Sequence, residues 1–148
     1  VRPAGRANSG RLTPAAFSME RRMKTLAALI LLTLSSTALA AEGSAEAGKV
    51  VFKKCTACHN AEQATNKVGP HLDGVVGRPA AALADYTNYS DAMKEEGAKG
   101  LTWDEATLAT YLAGPKKMIP KTRMAFSGLK SEQDIADVIA YLKSVKAQ

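Results

Sequence analysis

The sequence holds two cysteines, and they stand three residues apart in the run Cys55-Thr56-Ala57-Cys58-His59. Two thiols followed at once by an imidazole constrain this chain more than any other stretch of it. A structural zinc site needs four nitrogen or sulfur ligands. That count is reached here only by adding His71 and so using every cysteine and histidine present. A thioredoxin-like redox pair opens a helix after a strand, and no strand pattern precedes Cys55. A disulfide closed across two residues is strained and labile. The chemistry that suits the run is covalent attachment of a c-type haem. Each thiol adds to one vinyl group to form a thioether, and two intervening residues let both sulfurs reach neighbouring vinyls. His59 then falls under the iron and donates an imidazole nitrogen.

Charge first points elsewhere. The 148 residues carry 20 Lys+Arg against 14 Asp+Glu, a formal +6, which is the balance of a nucleic-acid binder. Its location removes that reading. Residues 1–18 form a Gly/Pro/Arg-rich stretch with no apolar period, consistent with a misassigned upstream translation start. From Met19 the pattern is that of a secretory signal peptide, spanning 19–40. Arg21, Arg22 and Lys24 are its positive region, Leu26–Leu34 its apolar run, and Ala38-Leu39-Ala40 its small-x-small cleavage site. The apolar run is half of what a membrane span needs. Cleavage after Ala40 leaves 41–148 as one domain, with 14 basic and 13 acidic residues. The basicity belongs to the leader. The expected location of the mature domain is the periplasm. Hydrophobic content of 46% and charge of 23% exclude wholesale disorder, collagen and coiled coil.

Within 41–148 the apolar period is helical. Ser44–Lys54 reads as a first helix capped by Ser44, and Ser90–Glu96 as a short one stopped by Gly97. Thr102 and Glu105 read as a capping box for a helix that buries Leu108, Tyr111 and Leu112 and ends at Gly114-Pro115. After a Ser131 cap, Ile135, Val138, Ile139, Leu142 and Val145 give the strongest period in the chain. No alternating strand appears. The expected class is all-α, three to five helices with long loops wrapped around one covalently bound haem. The loops at 59–89 and 115–130 reach or exceed the length at which structureless loops become uncommon. Something besides secondary structure must order them.

Iron bound by His59 has a sixth position to fill. Met93 falls in a helix and reads as core packing. His71, close after Pro70, reads as solvent-exposed. Met118 and Met124 lie in the loop read at 115–130, and spacing alone does not choose between them.

From Gly48 to Lys143 the chain resembles a class I c-type cytochrome, of the mitochondrial type and the bacterial cytochromes c2. The residues that carry the resemblance begin with Gly48, Phe52 and Cys55 to His59. They continue with Val68-Gly69-Pro70-His71-Leu72, Gly77-Arg78 and Tyr89-Ser90-Asp91-Ala92. Leu101-Thr102-Trp103, Tyr111-Leu112, Gly114 to Lys117 and Ile119 to Met124 follow, and Phe126-Ser127-Gly128 and Ile139 to Leu142 close the series. The resemblance implies Met124 as the second iron ligand. It implies that the Pro70 carbonyl holds the far nitrogen of His59 and that Arg78, Tyr89 and Trp103 donate to a haem propionate. It also implies that Tyr111 and Thr122 lie near the Met124 sulfur, and that Gly48 lets the first helix cross the last near Tyr141. The chain departs from the mitochondrial pattern at Met93 and by an insertion at Glu95–Lys99.

The function so implied is that of a soluble periplasmic monohaem electron shuttle rather than an enzyme. By the same resemblance the donor is a cytochrome bc1-type complex and the acceptor an oxidase or reaction centre. Lys53, Lys54, Lys67, Lys116, Lys117, Lys121 and Arg123 would surround the haem edge and steer acidic redox partners to it. No nucleic acid, no stable membrane anchor and a monomeric state are expected.

Overall fold

A computed structural model describes residues 42–145. The leader and upstream segments, 1–18 and 19–40, lie outside the described residues. Five helices follow in chain order: α1 Ala45–Phe52, α2 Asp91–Ala98, α3 Glu105–Ala113, α4 Pro115–Met118 and α5 Glu132–Ser144. Among the described residues there is no strand, only an isolated antiparallel bridge between Pro79 and Thr102. The domain is all-α.

The frame is the crossing of α1 on α5. A Cβ built at Gly48 would overlap the Asp137 carbonyl and lie 2.8 Å from Tyr141 Cβ. The helices approach this closely because position 48 carries no side chain. Phe52 then meets Tyr141 with ring centroids 5.2 Å apart. The α5 period is used as its spacing dictates: Ile135, Val138, Ile139 and Leu142 are all buried. Asp137 is buried on the same helix, where its Oδ1 accepts from Ser44 N at 2.7 Å and Gln133 Nε2 at 2.9 Å. A buried carboxylate supplied with donors tolerates burial, and this one pins the start of α1 to α5.

Three boundaries differ from the sequence reading, each for a tertiary reason. Thr102 does not cap α3. It is engaged in the bridge to Pro79, and Asp104 caps instead, accepting from Thr107 N at 2.7 Å. Glu105 pairs with Lys143 at 2.6 Å. Gly97 lies inside α2 rather than stopping it. A side chain there would strike the Ala80 carbonyl, so the glycine serves a close approach, and the chain turns at Gly100 with φ +92°. The segment after Gly114 is not all loop, because Pro115 opens the four-residue α4, the first-turn position where proline costs nothing.

The long loops are tied by backbone bonds outside regular structure. Gly77 N donates to Trp103 O and Trp103 N to Arg78 O, both at 2.9 Å, and Ala80 N donates to Leu101 O at 2.8 Å. Leu129 N reaches Leu112 O at 2.8 Å. Both loops thus lie against α3 and its approach. No helix among the described residues is long and apolar enough to cross a membrane.

Candidate functional site

The chain leaves α1 at Phe52 without leaving helical turns. Cys55 N donates to Phe52 O at 2.7 Å, Cys58 N to Cys55 O at 3.0 Å and His59 N to Cys55 O at 2.9 Å. This winding brings Cys55, Cys58 and His59 to the wall of one cavity. Neither cysteine is engaged in a disulfide; Cys55 is half-buried and Cys58 exposed. Burial pushes the Cys55 thiol up, against the opposing charge of Lys54.

His59 Nδ1 lies 2.7 Å from the Pro70 carbonyl oxygen. A carbonyl only accepts, so Nδ1 carries the proton and the neutral ring keeps its lone pair on Nε2. Burial holds the imidazole below its ordinary pKa, with the Pro70 hydrogen bond working the other way and nearby Lys67 adding to the depression. Gly69 permits the geometry. A Cβ there would come within 2.9 Å of both ring nitrogens.

The cavity has a volume of about 460 Å³, within the range of small-molecule and cofactor clefts. Phe52, Leu72, Val75, Met93, Trp103, Leu108, Leu112, Val138 and Leu142 supply apolar wall. Met124 lines it too, on the segment that follows Ile119 to Thr122. Thr122 N closes a turn onto Ile119 O at 3.1 Å. Beside Met124, the Tyr111 hydroxyl and Thr122 Oγ1 are hydrogen-bonded at 3.0 Å, and Met124 N reaches the same Oγ1 at 3.4 Å. Burial pushes the Tyr111 phenol up. Trp103 packs on Tyr111 with centroids 4.9 Å apart.

Arg78 and Tyr89 line the cavity as well. The Arg78 guanidinium donates to the carbonyls of His71 at 2.8 Å and Asp73 at 3.1 Å. It therefore ties its own loop through two of its five N–H groups. Burial lowers its pKa and raises that of Tyr89, whose ring meets Tyr86 edge-on at 4.8 Å.

All ten residues singled out from the sequence, Cys55, Cys58, His59, Pro70, Arg78, Tyr89, Trp103, Tyr111, Thr122 and Met124, border this one cavity. Met118 does not. It packs against the core from α4. His71 is not exposed, as its sequence position suggested. It is 7% accessible, and its Nδ1 has no hydrogen-bond partner. Met93 is buried as expected, yet it also lines the cavity, as do Leu72, Val75 and Ser90. For Leu72 and Val75 the available sign was apolar character within a loop.

The donor set fits a covalently held haem. Two thiols stand at an apolar cleft, an imidazole there has its lone pair free on Nε2, and a thioether shares the same lining. The fold and the cleft define a small c-type haem domain. The comparisons agree. The family model described as cytochrome c matches residues 45–146. A cytochrome c2 from Agrobacterium tumefaciens is 46% identical over 102 residues, covering 68% of this chain and 91% of that protein. Cytochrome c2 iso-2 from Magnetospirillum fulvum is 52% identical over 94 residues, covering 64% and 94%. The solved structure of cytochrome cH from Methylobacterium extorquens superposes with a TM-score of 0.62 at 49% identity, covering 69% of this chain and 99% of that one. The chain belongs to the cytochrome c family. It is a monohaem c-type cytochrome whose cofactor is haem c, an electron carrier that resembles the cytochromes c2.

Proposed function

We propose that this carrier is a mobile periplasmic shuttle, exported by the leader at 19–40, and that it moves single electrons from a cytochrome bc1-type complex to an oxidase or reaction centre. Cys55 and Cys58 would hold the haem through two thioethers, and His59 Nε2 and the Met124 sulfur would ligate its iron. Bound haem supplies a one-electron ferrous–ferric couple, and the polypeptide sets its conditions. A soft thioether and a dry apolar wall both favour the ferrous state and raise the reduction potential. Pro70 fixes the His59 ring. Arg78, Tyr89 and Trp103 supply donors to a propionate that would otherwise be an unpaired buried charge. Tyr111 and Thr122 hold the Met124 segment. Iron held by His59 and Met124 would have no open position for a substrate, so the role we propose is transfer rather than catalysis.

Surface charge supports docking of an acidic partner. Asp134 is engaged by Lys54, Glu105 by Lys143, and Glu95 and Glu96 by Lys99. These acids are answered locally. Lys53, Lys116, Lys117 and Lys121 have no ion-pair partner among the described residues and remain available to an acidic partner. Their attraction weakens with salt.

The observation that carries the reading is that Cys55, Cys58, His59 and Met124 border one cavity while the Pro70 carbonyl sits 2.7 Å from His59 Nδ1. The test is the optical spectrum of the oxidised protein before and after Met124→Ala. A weak far-red charge-transfer band that disappears in the variant identifies the sulfur ligand. A band that persists assigns the iron to another group and ends the proposal. Ready carbon monoxide binding by the reduced wild type at neutral pH would also contradict a closed sixth position.

A further inference from the structure

The hydrogen bond to His59 is made by a carbonyl in a loop, so what holds that loop matters. Residues 66–71 are fastened at both edges. On the inner edge Gly69 N donates to Cys58 O at 2.8 Å and Leu72 N to Asn60 O at 2.7 Å. On the outer edge two side-chain contacts join the strap to the distant segment 85–86. Asn66 Nδ2 donates to the Asp85 carboxylate at 2.8 Å and its backbone carbonyl at 3.3 Å, while Asn66 Oδ1 accepts from His71 N at 2.9 Å. Three of the four hydrogen-bonding positions of this amide are thereby directed, with His71 and Asp85 on its two ends. The Tyr86 hydroxyl donates to Val68 O at 2.7 Å. Pro70 stands between the clamped positions 68 and 71.

We propose that Asn66 and Tyr86 are positioning residues for His59. They press the 66–71 strap inward, hold the Pro70 carbonyl on Nδ1 and so help to set the potential of the carrier. The inference rests on His59 being an iron ligand. The physical link is that a strong hydrogen bond from Nδ1–H raises the basicity of the ligating nitrogen, which favours the ferric state. Relaxing the strap weakens the bond and favours the ferrous state. Neither residue touches His59. Asn66 does not line the cavity, and Tyr86 borders it while its hydroxyl is turned to Val68 O.

The experiment uses the haem-loaded protein with Tyr86→Phe, Asn66→Ala and the pair together. Two quantities are read: hydrogen exchange of the His59 Nδ1 proton against backbone amides of α1 and α5, and the oxidised-to-reduced ratio at a fixed applied potential. The expected result is about tenfold faster exchange of the ring proton in the double variant, with helix amides unchanged. The oxidised-to-reduced ratio should fall about two- to fourfold, because the bond is loosened rather than removed. Tyr86→Phe deletes one hydroxyl and stands alone as the test if Asn66→Ala does not fold. An unchanged ring proton and ratio would overturn the proposal. So would ring-proton and helix exchange rising together, which would make the clasp part of general stability. Failure of the ligand assignment shows separately, in the wild-type spectrum, before any variant is made.

Discussion

Removing the Tyr111 hydroxyl isolates the support of the Met124 segment. Tyr111 and Thr122 are 7% and 8% accessible, and their oxygens are 3.0 Å apart. In Tyr111→Phe, Thr122 Oγ1 keeps only the 3.4 Å contact from Met124 N, a long bond. The loss is one buried hydrogen bond plus partial exposure of Thr122 to an apolar neighbour, about 1–2 kcal/mol. Thr122→Val removes the same bond from the other side and leaves the phenol unpaired, at similar cost. The double variant replaces both partners by apolar groups of nearly the same shape, which is close to the cost of either single change. The coupling energy is therefore about 1 kcal/mol. Guanidinium unfolding of the haem-loaded proteins, compared at constant m, measures all four corners of the cycle. Because Met124 lies two residues on, the far-red band expected of the proposed sulfur ligand should vanish at lower denaturant than the helical signal in each single variant. Additive single effects, with coupling below about 0.3 kcal/mol, would refute the idea that this pair acts as a unit.

Gly48→Ala gains about 1 kcal/mol of helix propensity but drives a methyl group into the Asp137 carbonyl, and overpacking against backbone costs about 1–3 kcal/mol or more. A net loss should appear as a lower thermal midpoint, and a variant at or above wild-type stability would mean that the crossing is looser than described. Tyr141 gives a pH test. Burial first, then the hydrogen bond to Glu62, push its phenol up to about 12, whereas the unfolded chain ionises near ~10. Folding favours the neutral form, so this contribution is whole below about pH 10 and is lost as pH climbs to about 12. Tyr86, Tyr89 and Tyr111 are raised by burial too. Urea unfolding at pH 9 and 11.5 should therefore show a reduced, not abolished, pH dependence in Tyr141→Phe; an unchanged one would dismiss the Tyr141 contribution.

What was legible in the sequence was what local chemistry decides. Ser44 and Ser131 cap their helices through contacts to residues three positions on, and the α5 period needs no partner to be seen. Where a local signal met a tertiary contact, distant structure chose. Thr102 carried the cap signal, but it is engaged in the bridge to Pro79 and Asp104 caps instead. Gly97 carried a stop signal, but its missing side chain was needed against Ala80. Four residues of α4 were too few to show a period. His71 looked like a surface residue because nothing nearby in sequence foretells that its carbonyl would receive Arg78 and its N–H would meet Asn66.

The candidate site divides along the same line. Cys55, Cys58 and His59 are neighbours in sequence, so their joint geometry follows from one helical turn and could be read directly. Met118 and Met124 had equal standing as thioethers. What separates them is that α4 turns Met118 onto the core, while the turn closing at Thr122 leads Met124 to the cavity. The loops 59–89 and 115–130 carry few periodic apolar residues because their apolar side chains face inward to a cleft rather than along a helix face. Leu72, Val75 and Met124 border that cleft, and no spacing rule applies to residues whose common partner lies off the chain. A group filling the cleft would bury these side chains at about 25 cal/mol for each Å² of apolar surface. That gain is of the kind needed to offset the entropy of ordering two long loops. On this argument attachment at Cys55 and Cys58 acts on folding as well as on function: the residues nearest the cleft should lose most protection when the cofactor is withheld, and the α1–α5 crossing at Gly48 least.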